Sequence, residues 1–86
     1  MKIFIYTLEK RPNGVSLLKI YKVNNNIPHY ICEITCKSED KYICDSMVLK
    51  QLVEYDLVDT SCMNLYNGDY LETPEFNKKG VKIIRV

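Results

Sequence analysis

The feature that most constrains this fold is a single stretch with helical periodicity, residues 38–55. Apolar side chains recur there at the three-to-four spacing of one helical face, and polar side chains take the other face. The apolar set is Cys44, Val48, Leu49, Leu52, Val53 and Tyr55, and the polar set is Asp45, Lys50, Gln51 and Glu54. The sequence on both sides is patterned as strands. A lone helix must therefore pack against a sheet supplied from both sides of it.

The ends of this helix have recognisable signals. Ser38 can accept a hydrogen bond from a free amide of the first helical turn, and Glu39 and Asp40 lie where the positive end of the helix dipole favours carboxylates. We predict a helix over about 39–55, with a start at Ser46 as the alternative.

Three strands are predicted before the helix. Residues 2–8 carry large side chains on both alternating faces, which is typical of a central strand. Residues 11–14 end in Asn-Gly, which supplies the positive φ angles of a tight hairpin, so residues 15–23 should pair antiparallel with the first strand. A turn over residues 24–28 leads to a third strand, residues 29–36, and the three form a meander.

Three more strands are predicted after the helix. Residues 63–66 and 69–72 flank Asn67-Gly68, a strong hairpin signal, and residues 81–86 have the β-branched content of a final strand. The predicted fold class is α+β: an antiparallel β-sheet with one principal α-helix packed on a face, in the order β-β-β-α-β-β-β.

Size and composition indicate one folded domain, residues 1–86. Apolar residues make up 47% of the chain, enough for a packed core. No apolar run approaches the length that spans a bilayer, and the apolar opening is too short for a signal peptide, so we expect a cytoplasmic protein. Alanine is absent while Lys, Asn, Ile and Tyr are frequent, which suggests an AT-rich coding sequence such as low-GC bacteria and their phages carry.

The cysteines are the first candidates for chemistry. Cys32, Cys36, Cys44 and Cys62 lack the C-x-x-C spacing that delivers two thiolates to one zinc ion. Two of them, Cys32 and Cys36, would also lie over about 12 Å apart along one strand. We expect free core cysteines, with neither metal nor cofactor.

No residue pattern predicts catalysis. The single His29 stands beside a proline turn without a serine or carboxylate fixed near it, and the three glycines are isolated at turns rather than grouped in a phosphate loop. We therefore predict that the protein is not an enzyme.

A winged helix built from residues 47–55 and the following hairpin is an alternative, but the helix lacks a basic recognition surface.

Charge is divided unevenly along the chain. Residues 1–38 carry a net charge of +4, residues 39–75 carry −7 and residues 76–86 carry +4. If the helix and the predicted hairpin lie together, carboxylates and tyrosines form an acidic surface suited to a basic protein partner. The predicted binding residues are Glu54, Tyr55, Asp56, Asp59, Tyr66, Asp69, Tyr70 and Glu72. The alternative is a solvated acidic face balanced by the basic strands.

A small, alanine-poor α/β chain without catalytic residues but with an acidic segment resembles the inhibitor proteins of phages and mobile elements, of which anti-CRISPR proteins are the best known. Several of those place carboxylates where a nuclease expects nucleic-acid phosphate. The resemblance covers the chain in general character, rests on no motif and transfers no residue. It implies a non-enzymatic inhibitor of a nucleic-acid-handling host protein. The alternatives are a nucleic-acid-binding or transcriptional regulatory module that uses the basic strands, and a structural or oligomerising protein.

Overall fold

The computed structural model describes residues 2–61 and 80–86. They form one antiparallel sheet with strand order β3-β2-β1-β4 and one α-helix, which confirms the predicted α+β class. The elements are β1 (Ile3–Lys10), a short 3-10 turn (Pro12–Gly14), β2 (Ser16–Asn24), β3 (Ile27–Cys36), α1 (Lys41–Glu54) and β4 (Val81–Arg85). No helix in these two ranges is long and apolar enough to cross a membrane.

The predicted order with three strands after the helix is not matched. The described residues contain three strands before α1 and one, β4, after it. The two strands of the predicted hairpin, residues 63–66 and 69–72, lie outside the described residues. The prediction of a central first strand is confirmed, because β1 pairs with β2 on one side and with β4 on the other.

Two tight turns close the meander of β1, β2 and β3. Asn13 and Gly14 have φ angles of 66° and 70°, and Asn25 and Asn26 have φ angles of 52° and 64°. These are left-handed conformations, which asparagine and glycine adopt at lower cost than other residues. Both turns fall where the sequence predicted them.

Helix α1 begins later than predicted. Its N-cap is Asp40, whose carboxylate accepts hydrogen bonds from the backbone amides of Tyr42 and Ile43. The hydroxyl of Ser38, the predicted cap, instead accepts from the amide of Asp40 at 3.0 Å. Ser38 therefore shapes the approach to the helix, and the two carboxylates of Glu39 and Asp40 precede its first turn.

A β-bulge interrupts β3. Ile20 of β2 pairs with Cys32 but the next residue, Tyr21, pairs with Tyr30, so Ile31 is the extra residue. The bulge places Tyr30 on the sheet face opposite Cys32, whereas a regular strand would place residues two apart on one face. The ring of Tyr30 meets Tyr21 edge-on, with centroids 5.7 Å apart.

The core lies between α1 and one sheet face. Its fully buried side chains from α1 include Cys44, Val48, Leu49 and Leu52, as the helical pattern predicted. Two assignments to the helix faces are wrong. Asp45, predicted to face solvent, is fully buried, and Tyr55, predicted to face the core, is 51% exposed. Tyr55 is the residue after the last helical one, so it no longer follows the helical face.

Asp45 can be buried because two side chains bind its carboxylate. Its carboxylate accepts a hydrogen bond from the Tyr6 hydroxyl of β1 and pairs with the Lys82 ammonium of β4. All three side chains are buried within the core. This network connects the helix to the two strands farthest from β3.

Candidate functional site

Helix α1 runs back along β3, antiparallel to it. Near the start of the helix, Cys44 interacts with Cys36 at the end of β3. Farther along, Met47 lines a cavity together with Ile34. At the end of the helix, the Tyr55 hydroxyl reaches the thiol of Cys32. The short connection between the two elements imposes this arrangement, and it places one flank of α1 above the outer edge of the sheet.

A groove lies between this flank and the edge strand. It contains an open cavity of about 220 Å³ lined by Ile34 of β3 and by Met47, Lys50, Gln51 and Glu54 of α1. Met47 is 36% exposed, and Ile43, one helical turn earlier, is 49% exposed. The groove therefore has an apolar wall with charged groups at one end.

The helix ends in a Schellman arrangement. The amide of Leu57 donates to the carbonyl of Leu52 at 2.9 Å, and the amide of Asp56 donates to the carbonyl of Val53 at 3.0 Å. Asp56 occupies the left-handed position of this motif with a φ of 57°, a position that glycine usually fills.

Three carboxylates surround the end of the helix. Glu54, Asp56 and Asp59 are all exposed, and within the described ranges no ion pair involves them. The amide of Ser61 donates to Asp59 at 3.0 Å, and this hydrogen bond lowers the pKa of the Asp59 carboxyl. The ammonium of Lys2 also lies nearby, where it donates to the carbonyl of Leu57 at 2.8 Å. The partial negative charge of the helix C-terminus adds to the carboxylates.

Tyr55 provides an aromatic surface beside these carboxylates. Half of its side chain is exposed, while its hydroxyl lies within hydrogen-bonding reach of Cys32. Burial raises the pKa of the Cys32 thiol, and the Tyr55 hydroxyl partly offsets that rise. The ring is thus held against the edge strand with one face available to a partner.

The structure brings together half of the predicted binding residues. We name the surface formed by Glu54, Tyr55, Asp56 and Asp59 the acidic helix end. The other predicted residues, Tyr66, Asp69, Tyr70 and Glu72, lie outside the described residues. Sequence reasoning missed Ile43 and Met47. Both are apolar residues of the helix that fall outside its predicted apolar face, and this position could have identified them as exposed apolar side chains.

The cysteines and His29 offer little chemistry. Cys36 and Cys44 are buried, and burial, followed by the nearby Cys36, raises the pKa of the Cys44 thiol to about 12. A thiol in that state is a poor nucleophile and ligand. Cys62 lies outside the described residues. In the described part of the chain, no group of three or more His, Cys, Asp or Glu residues could hold a metal ion, and His29 is exposed on the edge strand.

No protein-family model, curated protein or solved structure matches this chain.

Proposed function

We propose that this protein is a small non-enzymatic inhibitor of the phage or mobile-element kind. Its partner is a nucleic-acid-handling host defence protein, such as a CRISPR-Cas effector. The acidic helix end binds Lys and Arg side chains that line a channel for nucleic acid, and the bound inhibitor keeps phosphates out of that channel.

The observation that supports this proposal is the position of Asp56. Aspartate adopts the left-handed conformation more readily than most side chains, but glycine adopts it without a Cβ penalty. The carboxylate of Asp56 also stands at the negative end of the helix dipole, next to Glu54. A residue whose conformation and charge both lower local stability is typical of a functional surface. A basic partner relieves the electrostatic repulsion at this helix end by neutralising the carboxylates.

Charge and aromatic surface have separate roles in the proposed contact. The carboxylates steer a basic partner and form charge-assisted hydrogen bonds with its guanidinium and ammonium groups. Exposed charges at the rim of an interface change mainly the association rate, whereas a desolvated aromatic side chain contributes more to the lifetime of the complex. Tyr55 is the aromatic anchor in this arrangement.

The main alternative, nucleic-acid binding through the basic strands, has less support. Lys19 and Lys22 stand three residues apart on β2, so they lie on opposite faces of the sheet. Lys82 is buried against Asp45 and contributes nothing to a basic surface. The charge division along the chain therefore overstates the basic surface of the folded protein.

Charge reversal tests the proposal. A triple variant, Glu54→Lys with Asp56→Lys and Asp59→Lys, should lose binding to a panel of purified CRISPR-Cas effector complexes, measured by interferometry. The matched control, Lys19→Glu with Lys22→Glu, should bind like the unmodified protein, and added salt should slow association. If the control variant loses binding and the triple variant does not, the nucleic-acid-binding alternative replaces this proposal, and salt-dependent binding to DNA or RNA should accompany that result.

Position 56 offers a second test. Asp56→Gly should raise the free energy of unfolding by about 0.5–1 kcal/mol, because glycine adopts the left-handed conformation without a Cβ clash, and should weaken effector binding. Asp56→Asn, which keeps a residue tolerant of this conformation but removes the charge, should weaken binding without stabilising the fold. If both variants bind effectors like the unmodified protein, the carboxylate of Asp56 has no part in binding.

A further inference from the structure

We infer that the groove between α1 and β3 binds an extended, basic segment of the partner protein, which adds to the sheet as a strand beside β3. This inference rests on the proposed function, because it specifies how the partner is held. It concerns the groove formed by Ile34, Met47, Lys50, Gln51 and Glu54, which is separate from the rest of the acidic helix end.

Within the described residues β3 pairs with β2 alone and ends the sheet. Its outer side carries backbone amides and carbonyls that can pair with another strand. Pro28 and the bulge at Ile31 disturb the first half of this edge, so the regular part runs from Cys32 to Cys36. Five residues suffice for a short added strand.

An apolar wall lies above that edge. In β-strand addition, main-chain hydrogen bonds supply affinity, and pockets for alternate side chains supply specificity. The cavity beside Ile34 has room for one aliphatic side chain, and Ile43 and Met47 extend its wall along the helix. An added strand would thus bury apolar surface that is now exposed to water.

Charge at one end of the groove selects the occupant. Lys50 and Glu54 both line the cavity, but Glu54 lies at the end nearest to Asp56, where the carboxylates of the acidic helix end and the negative helix terminus outnumber the cation. Side chains two residues apart on a strand share a face. A segment with an aliphatic residue in the cavity and Lys or Arg two positions away therefore fits this groove. A second copy fits less well, because a symmetric contact would bring the same carboxylates of both copies into one interface.

The test uses a synthetic peptide with blocked ends, composed of threonines with one leucine and one arginine two residues apart. Amide resonances of the folded protein are followed by NMR during titration, together with amide hydrogen exchange. The peptide should shift resonances of residues 32–36 and of the facing flank of α1. It should also slow exchange of alternate amides in residues 32–36, whose N–H groups point outward.

Substitutions in the protein and in the peptide test the apolar part and the charged part of the contact separately. Met47→Asp should weaken peptide binding at least about tenfold, because it places a charge in the apolar wall. Tyr42→Ala changes an exposed side chain that does not line the cavity and should leave binding unchanged. Replacing the arginine of the peptide by glutamate should weaken binding about two- to fivefold, and Glu54→Gln should reduce that preference.

Several results would overturn the inference. One is the absence of shifts in β3 at millimolar peptide, and another is peptide binding that Met47→Asp does not alter. Concentration-dependent self-association that Met47→Asp abolishes would make a second copy the occupant.

If Met47→Asp leaves effector binding intact while the acidic triple variant loses it, the proposed function stands and the groove is not the partner's site. If the peptide binds the groove while the triple variant still binds effectors, the groove stands and the proposed function fails.

Discussion

The carboxylate of Asp45 is held between a phenol and an ammonium in the interior of the protein. Removing charges from water costs several kcal/mol per ion, and the mutual attraction of Asp45 and Lys82 offsets that cost only while both are present. The hydroxyl of Tyr6 satisfies a further acceptor site of the carboxylate. The network therefore selects one packing of α1 against β1 and β4 more than it adds stability.

Single and double replacements should separate these effects. Lys82→Met leaves a buried carboxylate without its counter-ion and should lower the free energy of unfolding by about 3–5 kcal/mol. Asp45→Leu together with Lys82→Met removes both charges and should recover much of that loss. Urea unfolding measures both variants. A single replacement that costs less than about 1 kcal/mol would mean that the pair does not hold the core together.

The Cys44 thiol should make stability fall at high pH. Its pKa rises from 9.0 to about 12 on folding, so the unfolded chain releases this proton first as the pH increases. The stabilisation is complete below about pH 9 and is lost progressively between pH 9 and pH 12. Urea unfolding at pH 8 and pH 10 should show the decline, and Cys44→Ala should show a smaller decline between the same two values. Equal declines in both proteins would assign the effect to other groups.

The contacts of single residues show which features could be predicted from the sequence and which could not. The pattern placed Asp45 on the polar face because its partners, Tyr6 and Lys82, lie 39 and 37 residues away in sequence, and no local spacing shows such a contact. The acidic helix end was predictable because its four members are neighbours in the chain. The groove was not, since it requires the flank of α1 to lie beside Ile34 of β3.

At the scale of the elements, β1 to β3 and α1 were predictable because each carries its own signal. Asparagine and glycine turns separate the strands, and the period of apolar residues changes where the helix begins. The bulge in β3 was not predictable, because residues 30–32 are three consecutive apolar residues, so the strand pattern fits equally well with or without an extra residue there. It decides which face Tyr30 takes.

The packed face of α1 gives a prediction at this scale. Leu52 is fully buried, so Leu52→Ala should lower the free energy of unfolding by about 2–5 kcal/mol. Ile43 lies on the exposed flank, and Ile43→Ala should cost less than about 0.5 kcal/mol. Urea unfolding of the two variants, each with one alanine on the same helix, compares the two faces. Similar losses would contradict the observed orientation of α1.

At the scale of the whole molecule, strand order makes distant parts of the chain depend on each other. The first strand lies between the second and β4, and β4 supplies the counter-ion of Asp45. The backbone groups of Lys2 and Val86 also exchange two hydrogen bonds, of 2.6 and 2.9 Å. Residues 2–61 therefore contain most of the core but not the groups that complete it.

A divided chain should show this dependence. Residues 1–79 alone should be largely unfolded by circular dichroism, because β1 loses a neighbouring strand and Asp45 loses its ammonium. Addition of a synthetic peptide of residues 80–86 should restore the native spectrum. The same peptide with Lys82→Ala should not restore it. A folded, cooperative 1–79 chain would show that β4 is dispensable.

The connection between Asp45 and Lys82 also sets the order of events during synthesis. Domains fold as their residues leave the ribosome, but a helix cannot bury a carboxylate whose counter-ion is still inside the exit tunnel. The meander and α1 can form early, yet α1 cannot settle on the sheet until residue 82 has emerged. Until then the chain has an exposed β1 edge and an undocked helix, both open to chaperones and proteases.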